Sequence, residues 1–202
     1  VAESKPAAEM NAAVKARFAD EHAFQAALPQ VLRELGFPAD EADFLGTRIS
    51  VEIAKGSGHA MRPMLPGYGA WLRTSRLDGE LGWDGFDTAM HELGHNLEQL
   101  CSTHFAPRPL LRNVPNTACT EAFAFLYQSL GRRVLGLETP EQAAKAFQLD
   151  SIATMLAACQ IAGPSLLELH TWRWIYANPT ATAEQLRDEV LAIAERLWSR
   201  FY

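Results

Sequence analysis

The residues best suited to chemistry are His91, Glu92 and His95, which form an HExxH motif inside a segment predicted to be helical. Side chains four positions apart share one face of a helix, so both imidazoles can bind one ion. Glu92 projects beside them, where it can reach a water molecule on that ion. The pattern predicts a Zn²⁺ site in which Glu92 is the general base. The competing interpretation is two ordinary helix histidines near a surface glutamate.

The third metal ligand has to come from outside the motif. A catalytic zinc ion usually has three protein ligands and one open position. The extended pattern HExxHxxGxxH is excluded, because Glu98 and Cys101 occupy the relevant positions. We expect Glu121 instead, since it lies on an otherwise apolar segment where an unpaired carboxylate would be costly. Glu98, one turn past the motif, stays open as the alternative ligand, and Glu121 as an ordinary exposed glutamate.

The elements that must hold these residues are mainly helices. Apolar residues at steps of three and four predict a helix over residues 10–35. Alternating apolar residues and glycine turns predict a small sheet over residues 48–75. Residues 85–202 have a helical pattern and carry the zinc motif. We therefore expect a single catalytic domain over residues 1–202, mainly α with a small β-sheet (α+β).

Local signals also place the later helix boundaries. Residues 139–142 and 182–185 both show the pattern of a capping hydroxyl with glutamine three positions later, which predicts two helix starts. Residues 163–164 are Gly-Pro, which predicts that the helical segment is broken at this position.

Composition and charge limit the classes of partner that we expect this protein to bind. The 202 residues carry a net charge of −6 and no basic run, so we expect no nucleic-acid partner. No stretch approaches the roughly 20 uninterrupted apolar residues of a membrane span, so we expect a soluble protein without a membrane partner. The compartment stays open, with a slight preference for the cytoplasm. The cysteines fit no CxxC spacing, and we expect three buried free thiols: Cys101, Cys119 and Cys159.

The motif with its later glutamate resembles the glutamate-ligand zinc metallopeptidases (gluzincins) with a mainly helical fold. These include the thimet oligopeptidase and oligoendopeptidase family, angiotensin-converting enzyme and related carboxypeptidases. Residues 91–102 are similar to the oligopeptidase zinc helix, and Lys55–Ala60 looks like the edge strand that these enzymes lay against substrate. Trp172–Trp174 is similar to a segment of the converting enzyme downstream of the glutamate ligand.

This resemblance implies a zincin-like catalytic domain that cleaves short peptides. It implies that the peptide backbone lies along Gly58, His59 and Ala60. The leading hypothesis is therefore a zinc-dependent peptidase. A catalytically silent zinc-bearing domain with a binding or scaffold role is the alternative, and a zinc hydrolase of a non-peptide amide is a third option.

One departure from the family concerns the oxyanion. The related enzymes use a tyrosine, commonly with a histidine, well downstream of the motif, and this chain ends at Tyr202. The resemblance then implies a truncated catalytic domain or a shortened variant that recruits another group. His170 and Tyr176 are the first candidate donors within the chain, and His59 and Tyr68 are the alternatives. Further polypeptide or a homo-oligomer is the other way to complete the active site.

Overall fold

The computed structural model describes residues 7–76 and 79–201. The chain divides into two compact units, one spanning Glu3–Thr139 and the other containing Pro140–Tyr202. The predicted class is confirmed at the level of a mainly helical protein with a small sheet. The single catalytic domain over residues 1–202 stays a prediction.

In the larger unit, helices pack against a sheet of three short strands, and the second unit is a pair of helices. The elements in chain order are α1 (Ala7–Arg17), α2 (Glu21–Glu34), α3 (Ala39–Gly46), β1 (Ile49–Ile53), β2 (His59–Met61), β3 (Ala70–Thr74), α4 (Gly82–Phe105), a 3-10 turn (Pro109–Leu111), α5 (Thr117–Ser129), α6 (Gly131–Val134), α7 (Pro140–Ala177) and α8 (Ala183–Phe201).

The predicted helix over residues 10–35 was wrong, because this segment forms two helices. Asp20 has an extended backbone, and its side chain accepts a hydrogen bond from the Ala23 amide at 2.8 Å. This N-cap satisfies one of the free amides at the start of α2, which favours a new helix start over a continuous helix. Pro29 lies inside α2 without ending it.

The sheet lies where the alternation predicts it, in the order β1-β3-β2. β3 pairs in parallel with β1 and antiparallel with β2, with Ala60 opposite Leu72. β2 is therefore an edge strand, and its outer side has no strand partner among the described residues.

The core of the larger unit is built around α4. This helix packs against β3, α1 and α5. Its fully buried residues recur at steps of four and three along one stripe: Phe86, Met90, Leu93, Leu97 and Leu100. Phe86 meets Phe18 and Phe24 with ring centroids 5.7 Å and 5.8 Å apart. Burial of each such side chain stabilises the fold by about 1.5–3 kcal/mol, so the stripe fixes which face of α4 is left for the histidines.

The second unit contains two predicted helix starts, and both are confirmed. α7 begins at Pro140, and α8 follows a capping box at Thr182. In that box the Thr182 amide donates to Gln185 Oε1 at 2.9 Å, and the Gln185 amide donates to Thr182 Oγ1 at 3.3 Å. The predicted break at residues 163–164 was wrong, because α7 continues through Pro164. A proline removes one helical hydrogen bond, and a long helix can retain the others on both sides.

Within α7, an 18-residue window has a mean hydropathy of 1.4, and none of it is buried. By length and composition this helix could cross a membrane, although it contains no run of about 20 uninterrupted apolar residues. Core helices of soluble proteins pass the same test when they are buried, so the absence of a membrane partner stays a prediction.

The cysteines are free, as predicted, but they differ in burial. Cys101 is half-buried, and burial raises the pKa of its thiol to about 11. Cys119 and Cys159 are exposed, so the prediction of three buried thiols was wrong. Both lie on helix faces that no other described element covers enough to bury them.

Candidate metal centre

Two helices bring three potential metal ligands together. His91 and His95 come from α4, Glu121 comes from α5, and their ligand atoms all lie within 4.8 Å of one another. His91 Nε2 is 3.4 Å from Glu121 Oε2, and His95 Nε2 is 3.6 Å from Glu121 Oε1. Each imidazole thus faces its own oxygen of one carboxylate. This group could hold a metal ion.

The α4 contribution follows from helix geometry. The two imidazole centroids are 4.9 Å apart, as expected for side chains one turn apart. The apolar stripe faces the core, so the two histidines lie on a different face of α4. Their side chains are nevertheless only 18% and 15% exposed. Burial lowers the pKa of His95, which favours the neutral imidazole that binds metals.

The α5 contribution depends on how closely the two helices approach. Asn116 caps α5, accepting a hydrogen bond from the Cys119 amide at 3.2 Å, so Glu121 lies early in the helix. A Cβ atom at Gly94 would be 2.6 Å from the Cα of Ala124. Ala124 is fully buried and lies one turn beyond Glu121. The absence of a side chain at Gly94 therefore lets the α5 backbone lie close to α4, where Glu121 meets the two histidines.

Glu92 lies beside the ligand group and is only 8% exposed. Burial raises the pKa of its carboxyl group, and the charges of His91 and His59 oppose that shift. A Cβ at Gly58 would lie 2.8 Å from Glu92 Oε1, so the chain before β2 passes directly over this carboxylate. A desolvated carboxylate with a raised pKa is a stronger base than one in water.

These residues line a cleft with a volume of about 410 Å³. The walls contain the three potential ligands and Glu92 together with Gly58, His59, Ala60, Arg62, Glu98, Gln99, Asn113, Pro115 and Thr120. The three residues predicted to contact substrate therefore line the same cleft as the ligand group. Glu98, the alternative ligand, lines the cleft but lies outside that group.

His170 and Tyr176, the predicted oxyanion donors, lie on α7 in the second unit and are exposed. Neither is among the described residues that line the cleft. Their role in the site stays a prediction.

Sequence reasoning missed two residues behind the ligands. His91 Nδ1 is 3.0 Å from Gln128 Oε1, and Gln128 Nε2 donates to Asp87 Oδ2 at 2.6 Å. Burial raises the pKa of Asp87, while the hydrogen bond from Gln128 opposes that shift. The sequence did contain a signal that these residues lie near the site. Asp87 precedes His91 by one helical turn, and Gln128 follows Glu121 by two turns, so each lies on the same helix face as a potential ligand.

Comparison of the chain with protein-family models, with curated proteins and with solved structures found no match. The resemblance to the glutamate-ligand zinc peptidases therefore stays a prediction.

The first prediction tests the close approach of α4 and α5. Alanine is the better helix former by about 1 kcal/mol, yet we expect Gly94→Ala to lower the free energy of unfolding by about 1–3 kcal/mol because its methyl group meets the Ala124 backbone. Urea unfolding measures this change. Gly67→Ala is the control, since a Cβ there meets nothing within 4 Å. Unchanged or increased stability of the Gly94 variant would contradict the prediction.

The second prediction concerns the third ligand. Glu121→Ala should weaken metal binding by more than about 100-fold, because loss of a direct ligand should exceed the usual cost of losing an outer partner. Metal content after dialysis and titration calorimetry measure the effect. Glu98→Ala is the matched control and should keep its metal. Full metal retention by Glu121→Ala, with loss in Glu98→Ala, would reassign the ligand.

Proposed function

We propose that this protein is a zinc-dependent peptidase that hydrolyses peptide bonds of short peptides. The observation that carries the proposal is the convergence of two imidazoles and one carboxylate, with the buried Glu92 beside them, in an open cleft. Two neutral nitrogen donors and one carboxylate are the ligand set of a well-known class of catalytic zinc site.

The ligand atoms are close enough to share one ion. One atom from each of the three residues lies within 4.8 Å of the others, and each histidine Nε2 lies within 3.6 Å of one Glu121 oxygen. The mixed nitrogen and carboxylate donor set is the feature that favours zinc. His91, His95 and Glu121 would hold the ion and leave its fourth position facing the cleft.

When bound, zinc lowers the pKa of a water molecule and polarises the carbonyl group under attack. Glu92 accepts a proton from the attacking water on its carboxylate and donates it to the nitrogen of the leaving amine. Both transfers need a carboxyl group whose pKa lies closer to neutrality than that of an exposed glutamate. The burial of Glu92 under Gly58 supports this role.

The edge strand β2 supports a peptide as the substrate. Its inner side pairs with β3, and its outer side is available to an extended chain. Addition of a strand to a sheet edge is a common mode of peptide binding, because it satisfies the backbone groups of both chains. Gly58, His59 and Ala60 line the cleft at this edge, so a bound backbone would pass next to the ligand group.

A catalytically silent zinc-bearing domain is the second candidate. Among the described residues that line the cleft there is no tyrosine, and His59 is the one histidine besides the two ligands. A peptidase would then stabilise the oxyanion through His59, through another donor of the cleft such as Arg62, or through a group from further polypeptide or a second copy of the chain. A binding or scaffold role needs no such group.

The third prediction tests Glu92. Glu92→Gln should keep its zinc but lose at least about 100-fold in hydrolysis, because the amide cannot accept the proton. The measurement is the rate of cleavage together with zinc content. Glu98→Gln, on the same helix and in the same cleft, is the control and should keep most of its activity. Turnover by Glu92→Gln at the rate of the unaltered protein would refute the assignment.

A mixed peptide library read by mass spectrometry separates the two functions. Cleavage that a chelator stops and zinc restores supports the peptidase. A fully zinc-loaded protein that cleaves no peptide supports the silent domain.

A further inference from the structure

Behind the ligand group, a hydrogen-bonded chain of three side chains links α4 to α5. His91 Nδ1 and Gln128 Oε1 are 3.0 Å apart, and Gln128 Nε2 and Asp87 Oδ2 are 2.6 Å apart. All three side chains are partly buried, so competition from solvent is reduced. The side-chain amide of Gln128 is therefore held from both ends.

Asp87, the acceptor at one end, determines which group donates and which accepts in both hydrogen bonds. An ionised carboxylate only accepts hydrogen bonds, so Asp87 requires the NH₂ group of Gln128 to point towards it. The Gln128 oxygen must then face His91, and it too only accepts. His91 must carry its proton on Nδ1, which leaves the lone pair of a neutral imidazole on Nε2.

Contacts on the opposite side of His91 agree with this direction. Nε2 is the atom that lies 3.4 Å from Glu121 Oε2, on the side of the ligand group. The Phe125 ring meets the imidazole edge-on, with centroids 4.9 Å apart, and restricts its rotation. The lone pair that the chain leaves on Nε2 is therefore the one aimed at the metal position.

We infer that Gln128 and Asp87 are positioning residues that fix the tautomer and orientation of His91 for metal binding. The inference rests on the proposed role of His91 as a zinc ligand. Outer partners of this kind usually change metal affinity by about 10–100-fold. In this chain the His91 partner is a neutral amide, and the carboxylate is one residue further away.

The fourth prediction removes each member of the chain. Gln128→Met keeps the length of the side chain without its hydrogen bonds, and should weaken zinc binding by about 10–100-fold. Asp87→Ala should cause a smaller loss, because Gln128 keeps its oxygen but is free to turn. Competition with a chromogenic chelator measures the affinity. Gln30→Met on α2 is the matched control and should leave affinity unchanged.

An exchange of the two groups tests the direction of the chain. In the double variant Asp87→Asn/Gln128→Glu, the new carboxylate accepts from His91 and the new amide donates to that carboxylate. This variant should recover most of the affinity lost in Gln128→Met. Thermal unfolding of the metal-free variants checks that each one is folded, and the exchanged pair provides a readout even if Gln128→Met is not.

Nitrogen NMR of His91 in the metal-free protein gives a readout that does not depend on zinc. At a pH where the imidazole is neutral, the proton should be on Nδ1 in the unaltered protein and should lose this preference in Gln128→Met. A proton on Nε2 in the unaltered protein overturns the inference.

The affinities separate failure of this inference from failure of the proposed function. If the unaltered protein binds zinc and folded Gln128→Met binds it equally well, the positioning role fails and the zinc site stands. Failure of the exchanged pair, when folded, to recover affinity also overturns the inference. Absence of zinc binding in the unaltered protein overturns both.

Discussion

The contact between Gly94 on α4 and the backbone at Ala124 on α5 is the constraint on which the candidate site depends. A Cβ at Gly94 would lie 2.6 Å from the Cα of Ala124, so the two helices approach as closely as their backbones allow. That separation places the Glu121 carboxylate within 3.6 Å of both imidazoles. The opposite face of α4 is fixed by its buried apolar stripe, so neither helix can turn without loss of core packing.

Without a bound cation, the charged groups of the cleft are expected to destabilise the folded protein. Burial raises the pKa of Glu92 and of Glu98 and lowers the pKa of His95, so desolvation opposes the charged form of each group. Glu121 adds a third carboxylate to the same walls. A divalent cation would offset the mutual repulsion of these carboxylates and stabilise the folded state as it binds. Sites that conflict with stability in this way are commonly sites of function.

The second unit presents a different physical problem. α8 has one buried residue, Ile193, whereas large apolar side chains of α7 are exposed, including Phe147, Met155 and Ile161. Along the whole of α7 the apolar residues do not recur with the helical period, so this helix has no distinct polar face to present to water. In other proteins, exposed apolar surface of this kind often occurs where a partner or a membrane binds. That further polypeptide or a homo-oligomer completes the active site stays a prediction.

The sequence by itself determined the features that are local to one element. The HExxH spacing, the apolar stripe of α4 and the capping patterns of α7 and α8 depend only on helical periodicity and on neighbours along the chain. The tertiary structure alone brought Glu121, rather than Glu98, into one group with the two histidines, and it alone revealed the pairing of Asp87 with Gln128. Both outcomes depend on the distance between α4 and α5. That distance is set by the packing of two surfaces that are far apart in sequence, and spacing along either helix carries no measure of it.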